Sequence, residues 1–160
     1  MRIFFILILI CSNSLLAQKV KNEFFALHNI IRGDSTYNTF DKQVELVKNA
    51  GFDGIEINQI ESFDGMKTAL DHFNFKGSYF YVKIQLSEPI DNRLENVINK
   101  LKGTNTIIAP YILADTKRFK PNSPEGDSEA IKLLQLISMW SKKSGLQVAI
   151  YPHLGFYVER

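Results

Sequence analysis

From Phe24 onward, short apolar runs alternate with segments whose apolar residues recur at helical spacing, and Gly stands at most of the joints between them. A short apolar run bounded by turn formers marks a buried strand, and a 3.6-residue apolar period marks a helix laid against it. The run Phe24 to Ile31 predicts a first strand. Thr39 can cap a helix that places Phe40, Val44, Val47 and Ala50 on one face and ends at Gly51, a residue suited to a left-handed C-cap. A second strand is predicted at Gly54-Ile55-Glu56-Ile57, and a second helix over Ser62 to Phe73. Tyr79 to Leu86 predicts a third strand, its period closer to two. A third helix carries Leu94, Val97, Ile98 and Leu101 and stops at Gly103. Thr106 to Leu113 follows as a fourth strand, weakened locally by Pro110. The polar stretch Asp115 to Gly126, with two prolines, predicts the longest loop. A fourth helix then starts at Asp127 or Ser128 and ends at Gly145, before a fifth strand at Gln147 to Pro152.

Strands that recur after helices pair in parallel through right-handed crossovers, so the fold class is α/β. No Gly-x-Gly-x-x-Gly or phosphate-loop lysine follows the first strand, which removes support for an open nucleotide-binding sheet. The expected architecture is a (β/α) TIM-barrel-like array of parallel strands, a partial barrel of about five.

The first residues form a separate segment. Met1-Arg2 precedes the apolar run Ile3 to Ile10, and a small residue, Ala17, follows a polar stretch. This predicts a signal peptide over 1–17 with cleavage before Gln18, leaving a domain over 18–160 in the periplasm or outside the cell. The apolar run is too short to span a bilayer. Lipid attachment at Cys11 is the competing expectation, and the bulky Ile10 before it argues against that. Cys11 is the one cysteine, so a mature chain has neither disulfides nor a thiolate metal site.

Composition excludes more than it selects. Nineteen basic against seventeen acidic residues leave a net charge of +2, too little to steer the chain to nucleic acid or an anionic membrane. No Ser/His/Asp constellation is visible, and without a mature-chain cysteine nucleophile acyl transfer is unsupported.

Three phrases carry a resemblance: Phe25-Ala26-Leu27-His28-Asn29, Ala50-Gly51-Phe52-Asp53-Gly54-Ile55-Glu56-Ile57, and Gln147 to Phe156 with its Tyr151-Pro152-His153. In order and spacing they resemble the xylose-isomerase-like TIM barrel family, which contains sugar phosphate isomerases and epimerases and also deoxyribose-acting endonucleases. The resemblance implies sugar chemistry with a divalent metal (Mn, Mg or Zn), and a small-molecule sugar as partner. It implies eight strands, whereas five are expected in this chain. It also implies a ligand glutamate on the fifth strand, where Tyr151 stands. The metal ligands are therefore left unassigned. A homo-oligomer is a further expectation.

Barrel enzymes carry their chemistry at the C-terminal ends of the strands. His28, Asn29, Glu56, Asn58 and His153 all fall near such ends. Glu56 between two isoleucines is an expensive carboxylate to bury unless something uses it. The expected catalytic residues are Glu56 and His153. The expected substrate-binding residues are His28, Asn29, Asn58, Tyr81 and Tyr151, with Tyr79 and Tyr111 as further candidates for stacking on a sugar. The competing expectations are a hydrogen-bonded core His28, a Glu56–Lys83 ion pair, a loop His153, and a solvated cluster at Lys117 to Lys120. At the level of function, a non-catalytic carbohydrate-binding or inactive truncated barrel competes with the enzyme. Endonuclease chemistry conflicts with export and with the absence of a basic face.

Overall fold

The computed structural model describes residues 22–115 and 118–159. The predicted leader, with Cys11 and the cleavage point, and Lys117 of the basic cluster lie outside the described residues.

The phrase Gly51-Phe52-Asp53-Gly54 shows how short-range chemistry sets up the sheet. Helix α1 (Phe40–Asn49) begins where the Thr39 side chain accepts from the Lys42 N–H, and Gly51 leaves it at φ +87. Asp53 then clamps the chain to the segment entering β1 (Phe25–Ala26). Its N–H donates to the Phe24 carbonyl at 2.7 Å, and its carboxylate accepts from the Phe24 N–H at 2.8 Å. Gly54 opens β2 (Gly54–Ile57) because nothing larger fits: a Cβ there would lie 2.5 Å from the Lys76 carbonyl oxygen and 2.7 Å from the Phe25 ring. Gly54→Ala is expected to lower stability by about 1–3 kcal/mol, the usual cost of overpacking, read as a lower urea midpoint with an unchanged slope.

The remaining elements are α2 (Phe63–His72), β3 (Lys76–Gln85), α3 (Leu94–Lys100), β4 (Ile107–Leu113) and α4 (Pro124–Lys143). The strands form one parallel sheet in the order β1-β2-β3-β4. Each strand turns one row of side chains to the helices. Ile55, Ile57, Phe80, Val82, Ile84, Ile108 and Ile112 bury there against Val44, Phe63, Met66, Leu70, Leu94, Ile98 and Ile137. The other row, with Glu56, Tyr79, Tyr81 and Tyr111, faces the open concave side, as the two-residue period of a strand requires.

Three boundaries differ clearly from expectation. The first strand ends at Ala26, and His28–Ile30 form a single 3-10 turn. The His28 N–H leaves the ladder for the Glu56 carboxylate, and the Ile31 and Arg32 N–H groups return to the His28 carbonyl. Strand β3 begins at Lys76 rather than Tyr79 because Gly77 fits against the Ile57 and Leu70 side chains. Helix α4 begins at Pro124 rather than at Asp127 or Ser128: Ser123 caps it by accepting from the Gly126 N–H, and Pro124 occupies the first turn, where its missing N–H costs nothing.

The fifth strand is reduced to one bridge, Ile108 to Val148. The Ile108 N–H donates to Gln147, and the Ile108 and Pro110 carbonyls accept from Ala149 and Tyr151, each at 2.9 Å. The next donor on that side of β4 would be Pro110, which has no N–H. The penalty of Pro110 thus falls on the neighbouring segment, and β4 itself runs through unbroken.

Candidate functional site

Glu56 is the centre of the concave face. The alternation of β2 sends Ile55 and Ile57 into the core and Glu56 to the open side, where the residue is still only 5% exposed. Its two oxygens have separate donors. Oε1 accepts from the Tyr81 hydroxyl at 2.7 Å, and Oε2 accepts from the His28 N–H at 3.2 Å. These bonds compensate the cost of burying the carboxylate. The competing Glu56–Lys83 ion pair does not form among the described residues, and Lys83 is exposed. Burial first, and then the Glu56 carboxylate it donates to, push the Tyr81 phenol above its ordinary value, so Tyr81 is a donor at every physiological pH.

Behind Glu56 lies a chain of side-chain hydrogen bonds whose directions can be assigned. Gln43 donates its amide to the Tyr37 carbonyl at 2.7 Å, so its oxygen faces His28 Nε2 at 2.8 Å and must accept from it. His28 is therefore the Nε2–H tautomer. Its Nδ1 accepts from Asn58 Nδ2 at 3.4 Å, and the same amide donates to Asn29 Oδ1 at 3.0 Å. Asn29 consequently keeps its own amide donor for the cavity.

His28, 1% exposed, does not reach the cavity. The early end of β1 turns its ring inward to Gln43 and Asn58, away from the place expected for a substrate-binding side chain, and its backbone N–H donates to Glu56. Burial, outweighing the Gln43 hydrogen bond, lowers its pKa from 6.5. The unfolded chain then takes up a proton near 6.5 while the folded chain resists it to lower pH. Stability is full above that value and is expected to fall as pH drops below about 6.5, with a slope of at most about 1.4 kcal/mol per pH unit. Urea midpoints across this range should show the decline in the wild type and a flatter profile in His28→Gln.

Six of the seven expected site residues, Asn29, Glu56, Asn58, Tyr81, Tyr151 and His153, line one cavity of about 340 Å³ at the C-terminal ends of the strands. Its far wall is aromatic. Tyr81 meets Tyr151 edge to face at 5.0 Å between centroids, Tyr111 stacks on Phe156 at 5.3 Å, and His153 lies 4.8 Å from Phe156. The His153 ring donates from Nδ1 to the Leu154 carbonyl at 2.9 Å, which leaves Nε2 for a ligand. Leu27, Arg32, Gln59 and Phe156 complete the lining and were not expected. Phe156 sits three residues beyond His153 and Gln59 directly follows Asn58, so proximity to expected residues was the one available signal. Arg32 gave none.

Among the described residues, no three His, Cys, Asp or Glu side chains converge in a way that could hold a metal ion. Glu56 is engaged by Tyr81 and His28, and Tyr151 occupies the position where the family resemblance implies a ligand glutamate. The described residues therefore do not by themselves fit the expected divalent metal.

Fold and cavity together define an α/β protein of partial TIM-barrel type, with a polar and aromatic pocket at the C-terminal ends of its strands. No protein-family model and no curated protein matches the sequence. Among solved structures the chain is similar to the apo form of 3-keto-D-glucoside 4-epimerase, YcjR, from E. coli, with a TM-score of 0.50 and 18% identity over 72% of this chain and 51% of that one. The likeness is one of fold, and the chain spans about half the length of that epimerase.

Proposed function

We propose that this protein is a sugar isomerase or epimerase in which Glu56 carries a proton between adjacent carbons of a bound sugar. One observation carries the reading: a buried carboxylate, held by Tyr81 and the His28 N–H, forms the wall of a cavity that also offers amide donors and aromatic faces. Removal of the proton next to a carbonyl places charge on the carbonyl oxygen, and catalysis requires donors where that charge develops. Asn29 and Arg32 line the same cavity as Glu56 and are the donors available for this, while His153 Nε2 can accept a proton from a sugar hydroxyl. The aromatic rings supply flat apolar surface for the C–H faces of a sugar. The fold similarity to a sugar epimerase supports the same class of substrate. Export, read from the leader, belongs to this proposal and places the substrate outside the cytoplasm.

The test is exchange of a sugar's α-proton in deuterated water, followed by NMR with glucose, xylose and galactose and their 3-keto derivatives. Time-dependent, protein-dependent loss of one C–H signal is the expected result. Tyr151 in the place of a ligand glutamate favours a second reading, a carbohydrate-binding protein without catalysis. Sugar-dependent thermal stabilisation with no exchange would select it.

A further inference from the structure

A second cavity, of about 460 Å³, adjoins the first and shares Gln59, Tyr81 and Tyr111 with it. Its lining runs along β3 from Phe80 to Gln85 and takes in Glu61, Glu88 and Asp91 from the segments that follow β2 and β3. Ile90 and Leu94 add apolar surface there. The compartment therefore continues the pocket along the sheet, with a lysine and three carboxylates among its apolar lining.

Gln59 stands between the two compartments in an unusual backbone conformation, φ 63 and ψ 136. A side chain with a Cβ pays for that region, and such strain persists where its surroundings enforce it, most often at functional sites. Here the Ser62 hydroxyl donates to the Asn58 carbonyl at 2.7 Å, pinning the turn from below. Asn74, Ser87 and Asn122 also have positive φ, but of the four only Gln59 lines both cavities. The exposed Gln59 carboxamide makes no hydrogen bond among the described residues, although its backbone is held in place.

We infer that the two cavities are one two-part site, in which the sugar ring sits against Glu56 and a substituent joined to that ring occupies the compartment beyond Gln59. The ligand class is thus a glycoside or disaccharide rather than a free monosaccharide. Gln59 is the specificity-determining residue, its strained turn holding the carboxamide at the junction of the two units. The inference rests on the sugar reading of the first cavity.

Calorimetric titration of the purified protein with glucose, xylose and galactose, each beside its 4-nitrophenyl β-glycoside, separates the two. Tighter binding of at least one glycoside than of its parent sugar, by about tenfold, is expected. Gln59→Gly, which relaxes the backbone, should shrink that ratio while the melting temperature holds or rises, an effect that a purely structural glutamine would not produce. Equal affinity for sugar and glycoside, or a ratio untouched by Gln59→Gly, overturns the two-part site and leaves the sugar reading standing. Absence of binding by every sugar and every glycoside overturns both.

Discussion

Glu56→Gln is expected to cut α-proton exchange by about 10²- to 10⁴-fold, the usual contribution of a positioned acid–base group, while the protein stays folded. The substitution isolates proton transfer from structure. A glutamine in this place can turn its oxygen to the His28 N–H and its amide to the Tyr81 hydroxyl, which accepts as readily as it donates. Both buried partners remain satisfied, so the fold has no reason to loosen. Glu56→Ala is the contrasting variant: it leaves two donors without an acceptor, at about 1–3 kcal/mol for an unsatisfied buried group, and should lose stability together with activity. Exchange that proceeds at the wild-type rate in Glu56→Gln would remove Glu56 from the chemistry.

Phe80→Ala should lower unfolding free energy by about 3–5 kcal/mol, the range for emptying an aromatic position in a packed core. Phe80 is 0% exposed in the central part of β3, and its ring meets Phe63 of α2 edge to face at 5.3 Å. Deleting it removes both the buried area and that aromatic pair. A domain of this size has about 5–15 kcal/mol in total, so the variant should be marginal at room temperature. Denaturant unfolding followed by fluorescence checks this. The neighbouring residue tests the geometry, since Tyr81 faces the cavity and Tyr81→Phe should cost much less stability while weakening the hold on Glu56.

Much of the site was legible because its residues stand at strand ends. Asn29, Glu56, Asn58, Tyr81, Tyr151 and His153 reach one cavity as the strand–helix repeat required. His28 was misplaced because the apolar run around it reads as continuous strand, and only the Glu56 carboxylate, distant in sequence, draws its N–H away from the ladder. Gln43 was missed for a related reason. A polar residue on a helix reads as solvated, yet here it is buried and sets the His28 tautomer. Gln59 carried no compositional mark, since a positive φ at glutamine is imposed by the turn it occupies.

Local chemistry alone determined the element order, the parallel direction of the strands, the caps at Thr39 and Gly51, and the side of β2 on which Glu56 would emerge. Those features depend on residues a few positions apart, and the two-residue and 3.6-residue periods record them directly. Tertiary structure decided which donors hold the Glu56 carboxylate, how far β1 extends, why the fifth strand thins to one bridge beside Pro110, and that two compartments meet at Gln59. Each of these turns on a hydrogen bond or a steric limit between segments far apart in the chain, which no periodicity along the chain can register.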